Sequence, residues 1–331
     1  MTASMPQIKF SRRKLMRLAM SAVALPAVPR MAYAESYPAR PVHIMLGFPP
    51  GTTPDVTARL IGPPLSERLG QQFIVENRTG AGGNIATEFV VKAQPDGYTL
   101  LLVTLANAVN ATLYGSLNFN FLNDIAPVAS IMRTPLVMEV NPAVPARSVA
   151  EFIAYAKANP GKINMASGGP GTPQHLAGEL FMMMTGTEMV HVPNQAGNAM
   201  TDVLGGQVQV IFNPISTSLP FIRQGKLRAL AVTSAERVRT LPDIPTVAEF
   251  VPGYEASGWY GIGAPRKTPA EIVEKLNSDI GTALSEAATM ARFADLDAET
   301  VQMSPAGFGK FLSDETQKWG KVVKAANIKI D

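Results

Sequence analysis

Cysteine is absent from this 331-residue chain. Disulfides, thiolate metal sites and a cysteine nucleophile are therefore excluded. Histidine is scarce. His43, His175 and His191 stand far apart, and none falls into a metal-binding spacing, so each reads as structural. Past residue 34 no stretch holds the roughly eighteen unbroken apolar residues that a bilayer-crossing helix needs. The mature chain is expected to be soluble. Acidic residues are missing from positions 1–34, which carry six of the 29 basic residues (Lys9, Arg12, Arg13, Lys14, Arg17, Arg30). The remaining 23 basic residues face 26 acidic ones, so the formal charge of +3 belongs to the N-terminus. Nothing in that balance points to nucleic acid.

The N-terminal segment has its own pattern. Ser11-Arg12-Arg13-Lys14-Leu15-Met16-Arg17 is of twin-arginine type, an apolar stretch runs from Leu18 to Val28, and Ala32-Tyr33-Ala34 supplies small residues at a cleavage site. Residues 1–34 are read as a cleaved export signal, which places the mature protein in the periplasm.

Two glycine-rich junctions stand out. One is Gly47-Phe48-Pro49-Pro50-Gly51-Thr52-Thr53-Pro54-Asp55; the other is Ser167-Gly168-Gly169-Pro170-Gly171-Thr172-Pro173-Gln174-His175. Each follows an apolar run and opens a helical pattern. Thr suits the N-cap, and the Pro near the helix start loses no hydrogen bond. A helix N-terminus approached by glycines attracts an anion through its free N–H groups and the positive end of its dipole. Gly80-Ala81-Gly82-Gly83 lacks the rest of a dinucleotide fingerprint and reads as a tight turn. No cofactor or metal is called for.

The coarse pattern alternates strand and helix. Strands are expected at Val42–Leu46, Phe73–Glu76, Thr99–Thr104, Pro135–Val140, Ile163–Ala166, Met189–Val192, Val208–Phe212, Leu227–Val232 and Gly258–Gly263. Helices are expected at 54–69, 84–93, 149–158, 173–184 and 215–224. Another should start at a capping box, Thr268-Pro269-Ala270-Glu271. The implied fold is α/β, with parallel-rich sheets flanked by helices and ligands bound beyond the strand ends. Crossings near Arg133–Val140 and Val251–Gly261 divide it into two lobes with a cleft between them. Lobe 1 is 35–136 plus 259–331, and lobe 2 is 137–258.

With these residues in hand, the chain resembles the tripartite tricarboxylate transporter solute-receptor family, also called Bug receptors, over about residues 37–331. The resemblance rests on GFPPGTTPDVTARL (47–60), VENRTGAGGNIATEFVVKAQPDGYTLLL (75–102), SVAEFIAYAKANPGKINMASGGPGTPQHLAGELF (148–181), LGGQVQVIFNPISTSLPFIRQGKLRALAVTS (204–234), LPDIPTVAEF (241–250) and PGYEASGWYGIGAP (252–265). It implies a monomeric, non-enzymatic, Venus-flytrap periplasmic binding protein. Such a protein closes on a small carboxylate and hands it to transporter membrane subunits or a sensor kinase. The first carboxylate loop matches Phe48, Pro49, Gly51 and Asp55, with Thr52 standing where the family has glycine, and the second matches Ser167, Gly168, Gly169, Gly171 and Thr172; N–H groups of Gly51, Thr52 and Thr53 are expected to face the carboxylate.

Departures from the family cluster elsewhere. After Thr104 the usual Thr-His is Ala106-Asn107; after Pro193 stand Asn194 and Gln195; the family's Phe-Asp-Asn is Phe212-Asn213-Pro214. Asn107, Asn194, Gln195 and Asn213 are therefore expected to read the far end of the ligand, and Thr104 is counted with the ligand-binding residues. Losing the aspartate disfavours a ligand amino group, because a buried ammonium needs a paired charge. The alternative of a different class is a periplasmic hydrolase using Ser167 as nucleophile and His175 as base.

Overall fold

Strand and helix alternate through the computed structural model, which describes residues 37–194 and 199–330. The export signal read at 1–34 and the candidate Gln195 lie outside the described residues. β1 (Val42–Leu46) leads through α1 (Thr53–Leu69) to β2 (Phe73–Asn77) and α2 (Asn84–Val91). β3 (Thr99–Thr104) is followed by α3 (Leu105–Leu113) and the single turn α4 (Phe121–Asp124). Then come β4 (Ile125–Val140), α5 (Val149–Ala158), β5 (Asn164–Ser167), α6 (Pro173–Thr185), β6 (Val190–Pro193) and α7 (Ala199–Leu204). β7 (Val210–Pro214), α8 (Ile215–Arg223) and β8 (Arg228–Val232) precede β9 (Ser257–Pro265). The last elements are α9 (Ala270–Ser285), α10 (Ala287–Ala294), β10 (Glu299–Thr300) and α11 (Pro305–Ala325).

The strands run in the order β2-β1-β3-β9-β4-β7-β5-β6, with β10 and β8 also paired to β4. β4 is the spine. Its residues Ile125–Pro135 pair with β9, and Leu136–Val140 pair with β7 and β8. The sheet is mixed. β1 is parallel to β2 and β3, and β5 is parallel to β6 and β7. Every pairing made by β4, and that of β3 with β9, is antiparallel. Helical crossovers give the parallel ends. β4 and β9 pass between the two ends without crossovers, so the middle is antiparallel.

Apolar helix stripes cover the sheet. Ile61 and Leu65 of α1, with Leu276 and Ile280 of α9, pack on Ile44, Leu46, Leu102 and Ile262. Phe152 of α5, Phe181 of α6 and Trp319 of α11 pack on Met138, Val140 and Phe212. Each such side chain contributes about 1.5–3 kcal/mol by leaving water. From Tyr37 onward the chain forms one compact unit.

Three local expectations are corrected. β4 begins ten residues before the expected Pro135. Pro127 and Thr134-Pro135 break its strand signal, and register shifts beside Pro127 and Ser130 absorb the irregularity. Residues 105–113, for which no element is expected, form α3. At α9 there is no capping box: Thr268 Oγ1 donates to the Pro265 carbonyl at 2.8 Å, and Pro269 is the N-cap.

Candidate functional site

A cavity of about 560 Å³ opens where β4 passes from one part of the sheet to the other. Its floor includes Thr134, Pro135 and Leu136 of β4 and Gly258, Trp259 and Tyr260 of β9. Its walls are helix starts. Thr53 and Pro54 begin α1, and Leu105 and Ala106 begin α3; Pro173 and Gln174 begin α6, and Ile215 and Ser216 begin α8. Each of these helices follows a strand, so four N-termini meet at one cavity. Each supplies about half a positive elementary charge at its start. Among the described lining residues there is no Lys, Arg or His, and the one ionisable acid is Asp297. The cavity can attract an anion by N–H groups and dipoles rather than by a side-chain cation. Phe48, Leu113, Leu136, Ile215 and Trp259 make much of the remaining surface apolar.

The two glycine junctions are built alike. Thr52 and Thr172 occupy the N-caps of α1 and α6 in extended conformation, and neither side chain caps its helix. Each hydroxyl turns back instead: Thr52 Oγ1 donates to the Pro49 carbonyl and Thr172 Oγ1 to the Gly169 carbonyl, both at 2.7 Å. The first-turn N–H groups are thus left for another acceptor. Gly47 is required by close approach, since a Cβ there would lie 2.2 Å from Gly83 Cα.

Asp55 holds the first junction together. It is buried and accepts from the Gly51 N–H (2.9 Å), Arg59 and Asn77. Burial alone would raise its carboxyl, but these three donors outweigh burial and lower it to about 2. Asp55 is structural, and the Gly51 N–H is already engaged. Tyr260 bonds to Thr53 beneath the junction; burial pushes its phenol up, and that bond opposes the rise.

Behind the second junction lies a histidine stack. The rings of His175 and His191 are 3.6 Å apart and nearly parallel at 10°. His175 Nδ1 accepts the Gly171 N–H at 3.2 Å, which puts its ring proton on Nε2, facing Glu179 Oε1 at 3.1 Å. Ser167 is fully buried, and its Oγ lies 2.6 Å from His191 Nε2 and accepts the Gly169 N–H at 3.0 Å. The expected Ser167–His175 pair does not form. Ser167 meets His191 instead, in a place with no opening to the cavity, where it fastens the loop. Burial, and then the charge His175 would share with it, hold His191 down at about 4.

The structure brings together Phe48, Thr52, Thr53, Thr104, Gly171 and Thr172 around the cavity. Pro49, Gly51, Ser167, Gly168 and Gly169 are not among the lining residues; Ser167 and Gly169 are buried, and Pro49, Gly51 and Gly168 are exposed. Asn107 is buried at the start of α3, where its Oδ1 accepts the Thr104 N–H (2.8 Å) and its Nδ2 donates to Thr87 (2.8 Å). Asn194 Nδ2 donates to Asp202 at 2.7 Å. Asn213 spends both amide hydrogens inward, on Thr217 Oγ1 (2.8 Å) and Ser218 Oγ (3.0 Å). Sequence reasoning missed Asn110, Gln174, Ser216, Trp259, Tyr260 and Asp297 as lining residues. Thr104 followed three residues later by Asn107 was a legible helix start. Asp297 had no local signal.

A mixed α/β sheet whose cavity is walled by helix N-termini defines a ligand-binding protein of the two-lobed periplasmic solute-binding class. The family described as the tripartite tricarboxylate transporter family receptor matches residues 57–328, and the chain belongs to it. Its relatives include protein BugT of Bordetella pertussis, 38% identical over 301 residues, covering 90% of this chain and 92% of that one. An R. palustris protein solved with adipate superposes with a TM-score of 0.75 at 36% identity, covering 88% of this chain and 99% of that one. MatC from Rhodopseudomonas palustris, solved with bound malate, gives 0.71 at 30% identity, covering 87% and 100%. The family is periplasmic, and among the described residues no helix is long and apolar enough to cross a membrane.

Proposed function

We propose that this chain is a monomeric periplasmic receptor, exported by a cleaved signal at 1–34, that captures a small organic carboxylate in the cavity at β4. It then delivers that carboxylate to the membrane subunits of a tripartite tricarboxylate-type transporter. The observation that carries the reading is the meeting of four helix N-termini at a cavity whose lining, among the described residues, holds no Lys, Arg or His. Such a site suits an anion small enough to be reached from several sides. That two solved relatives hold adipate and malate supports a carboxylate. The apolar part of the lining favours an acid with a hydrocarbon body over a densely hydroxylated one.

Lobe 1 (35–136 and 259–331) and lobe 2 (137–258) would close about β4 and the approach to β9. The ligand's better fit to the closed form would drive the shift. Binding is non-covalent, and the ligand leaves as it came.

The test is a calorimetric screen of residues 35–331 against benzoate, adipate, malate and citrate, with Trp259 fluorescence as a second signal. The expected result is saturable one-to-one binding of at least one acid, recovered unchanged afterwards. Absence of binding by every acid, or conversion of a bound one, overturns the reading.

A further inference from the structure

Glu139 lies inside β4 with no exposed surface. An acid so placed needs partners, because an ionised carboxylate out of water is costly. It has one. Ser218 Oγ of α8 donates to Oε1 at 2.6 Å, while Oε2 is buried without a hydrogen-bond partner. The basic groups around it are turned elsewhere. Arg228 of β8 donates to the carbonyls of Pro142, Val144 and Ala146. Arg223 ends α8, β7 carries no ionisable side chain, and Glu236, Arg237, Arg239 and Asp243 of the following segment are exposed. The opposite face of β4, through Met138 and Val140, is packed in apolar side chains.

The hydrogen bonds around Glu139 run in one direction. Ser218 spends its proton on Glu139, so its Oγ must accept from Asn213 Nδ2. Thr217 Oγ1 donates to the Pro214 carbonyl at 2.8 Å, so it too accepts from Asn213. These two constraints fix the Asn213 amide. Along the line Asn213–Ser218–Glu139 the donors point toward Glu139, while Thr217 donates back to Pro214, and the line ends one residue before Pro214, Ile215 and Ser216, which wall the cavity.

We propose that binding of an anion in the cavity is linked to uptake of one proton by Glu139. This rests on the carboxylate reading above. An ionised Glu139 and an ionised ligand would face the start of the same helix, α8, through the same junction. Each disfavours the other, and the coupling is reciprocal. On uptake, a proton from solvent goes to Oε2, the oxygen without a hydrogen-bond partner, and the Ser218 O–H goes on donating to Oε1, so no heavy atom has to move. Burial already pushes the Glu139 carboxyl up to about 8, with the Ser218 bond acting against it, so without ligand the group is largely protonated at pH 7 and partly ionised at pH 8 and above, where a bound anion has a charge to displace.

Titration calorimetry at pH 8, repeated in buffers of different ionisation enthalpy, counts the protons taken up per ligand. The probes are benzoate, adipate, malate and citrate. For any acid that binds, the wild type is expected to take up a measurable fraction of a proton, and its affinity should fall severalfold between pH 7 and pH 9. Glu139→Gln should abolish the uptake and flatten the profile at the tight end; Ser218→Ala should alter the uptake while leaving binding in place. Binding without uptake, or with uptake unchanged in Glu139→Gln, overturns the linkage and leaves the carboxylate reading standing. If Glu139→Gln does not fold, a flat wild-type profile between pH 7 and 9 overturns it equally. Failure of all four acids to bind at any pH from 6 to 9 overturns both.

Discussion

Thr240 Oγ1 donates to Asp297 Oδ1 at 2.6 Å, joining the segment after β8 to the turn before β10. Asp297 has a left-handed backbone, φ 51°, where Gly or Asn is the usual occupant, and it lines the cavity. An acid in a strained conformation beside the proposed anion site would oppose binding of the anion. Asp297→Asn keeps an acceptor for Thr240 and suits the backbone. It should raise affinity for a dicarboxylate roughly twofold to fivefold, about 0.4–1 kcal/mol, with a difference that shrinks in high salt. Calorimetry at low and high ionic strength decides it, and equal or weaker binding by the variant would refute it.

Gly171 and Leu113 touch at the cavity wall. With φ +74°, a Cβ at Gly171 would sit 2.9 Å from Leu113 Cδ2. Gly171→Ala should cost roughly 1 kcal/mol of stability from backbone strain. It should also weaken carboxylate binding at least tenfold, because the loop carrying Thr172 must shift. Adding Leu113→Ala removes the clash but not the strain, so stability should stay low while affinity partly returns. Urea unfolding and calorimetry on both variants separate the two effects.

Trp259 Nε1 and Trp319 Nε1 both donate to Glu315 Oε2 at 2.8 Å. This shared acceptor ties the cavity floor to α11. Glu315→Ala leaves two buried N–H groups unpaired and should cost about 2–5 kcal/mol. Glu315→Gln retains a carbonyl oxygen for both indoles and should cost about 1 kcal/mol or less. Chemical unfolding of the two variants checks the order; equal losses would show that the carboxylate charge, paired with Lys318, matters more than the shared bond.

How much of this could be read from the chain depended on whether the signal was local. Val42–Leu46, Thr99–Thr104 and Val149–Ala158 fall where apolar pattern and turn residues put them. The glycine junctions were visible because Gly, Pro and Thr at a helix start each have a local reason to be there. The spine strand was half hidden, since Pro127 and Pro135 are tolerated only through irregular pairing with β9, a partner more than a hundred residues away. The site was legible in part for the same reason. Thr52, Thr53, Gly171 and Thr172 advertise themselves. Asn107 and Asn213 looked like ligand readers, but Asn107 is engaged by Thr104 and the more distant Thr87, and Asn213 by Thr217 and Ser218 of the helix that follows it. Asp297 reaches the cavity only because β10 folds back on β4.

The histidine stack gives stability its acid limit. His191 is held neutral down to about 4 by burial first and by His175 second. In the unfolded chain it titrates near its ordinary value of about 6.5. Between those two pH values the unfolded chain binds a proton that the fold refuses, so stability rises with pH there and falls as pH drops from about 6.5 toward 4. The contribution is fully present above pH 6.5 and amounts to at most about 3 kcal/mol. Urea midpoints measured every half unit from pH 4 to 7 should show this slope. His191→Gln offers Ser167 an acceptor that does not titrate, so the variant should lose most of the slope across that window. An equal slope in both proteins would assign the acid sensitivity to other groups.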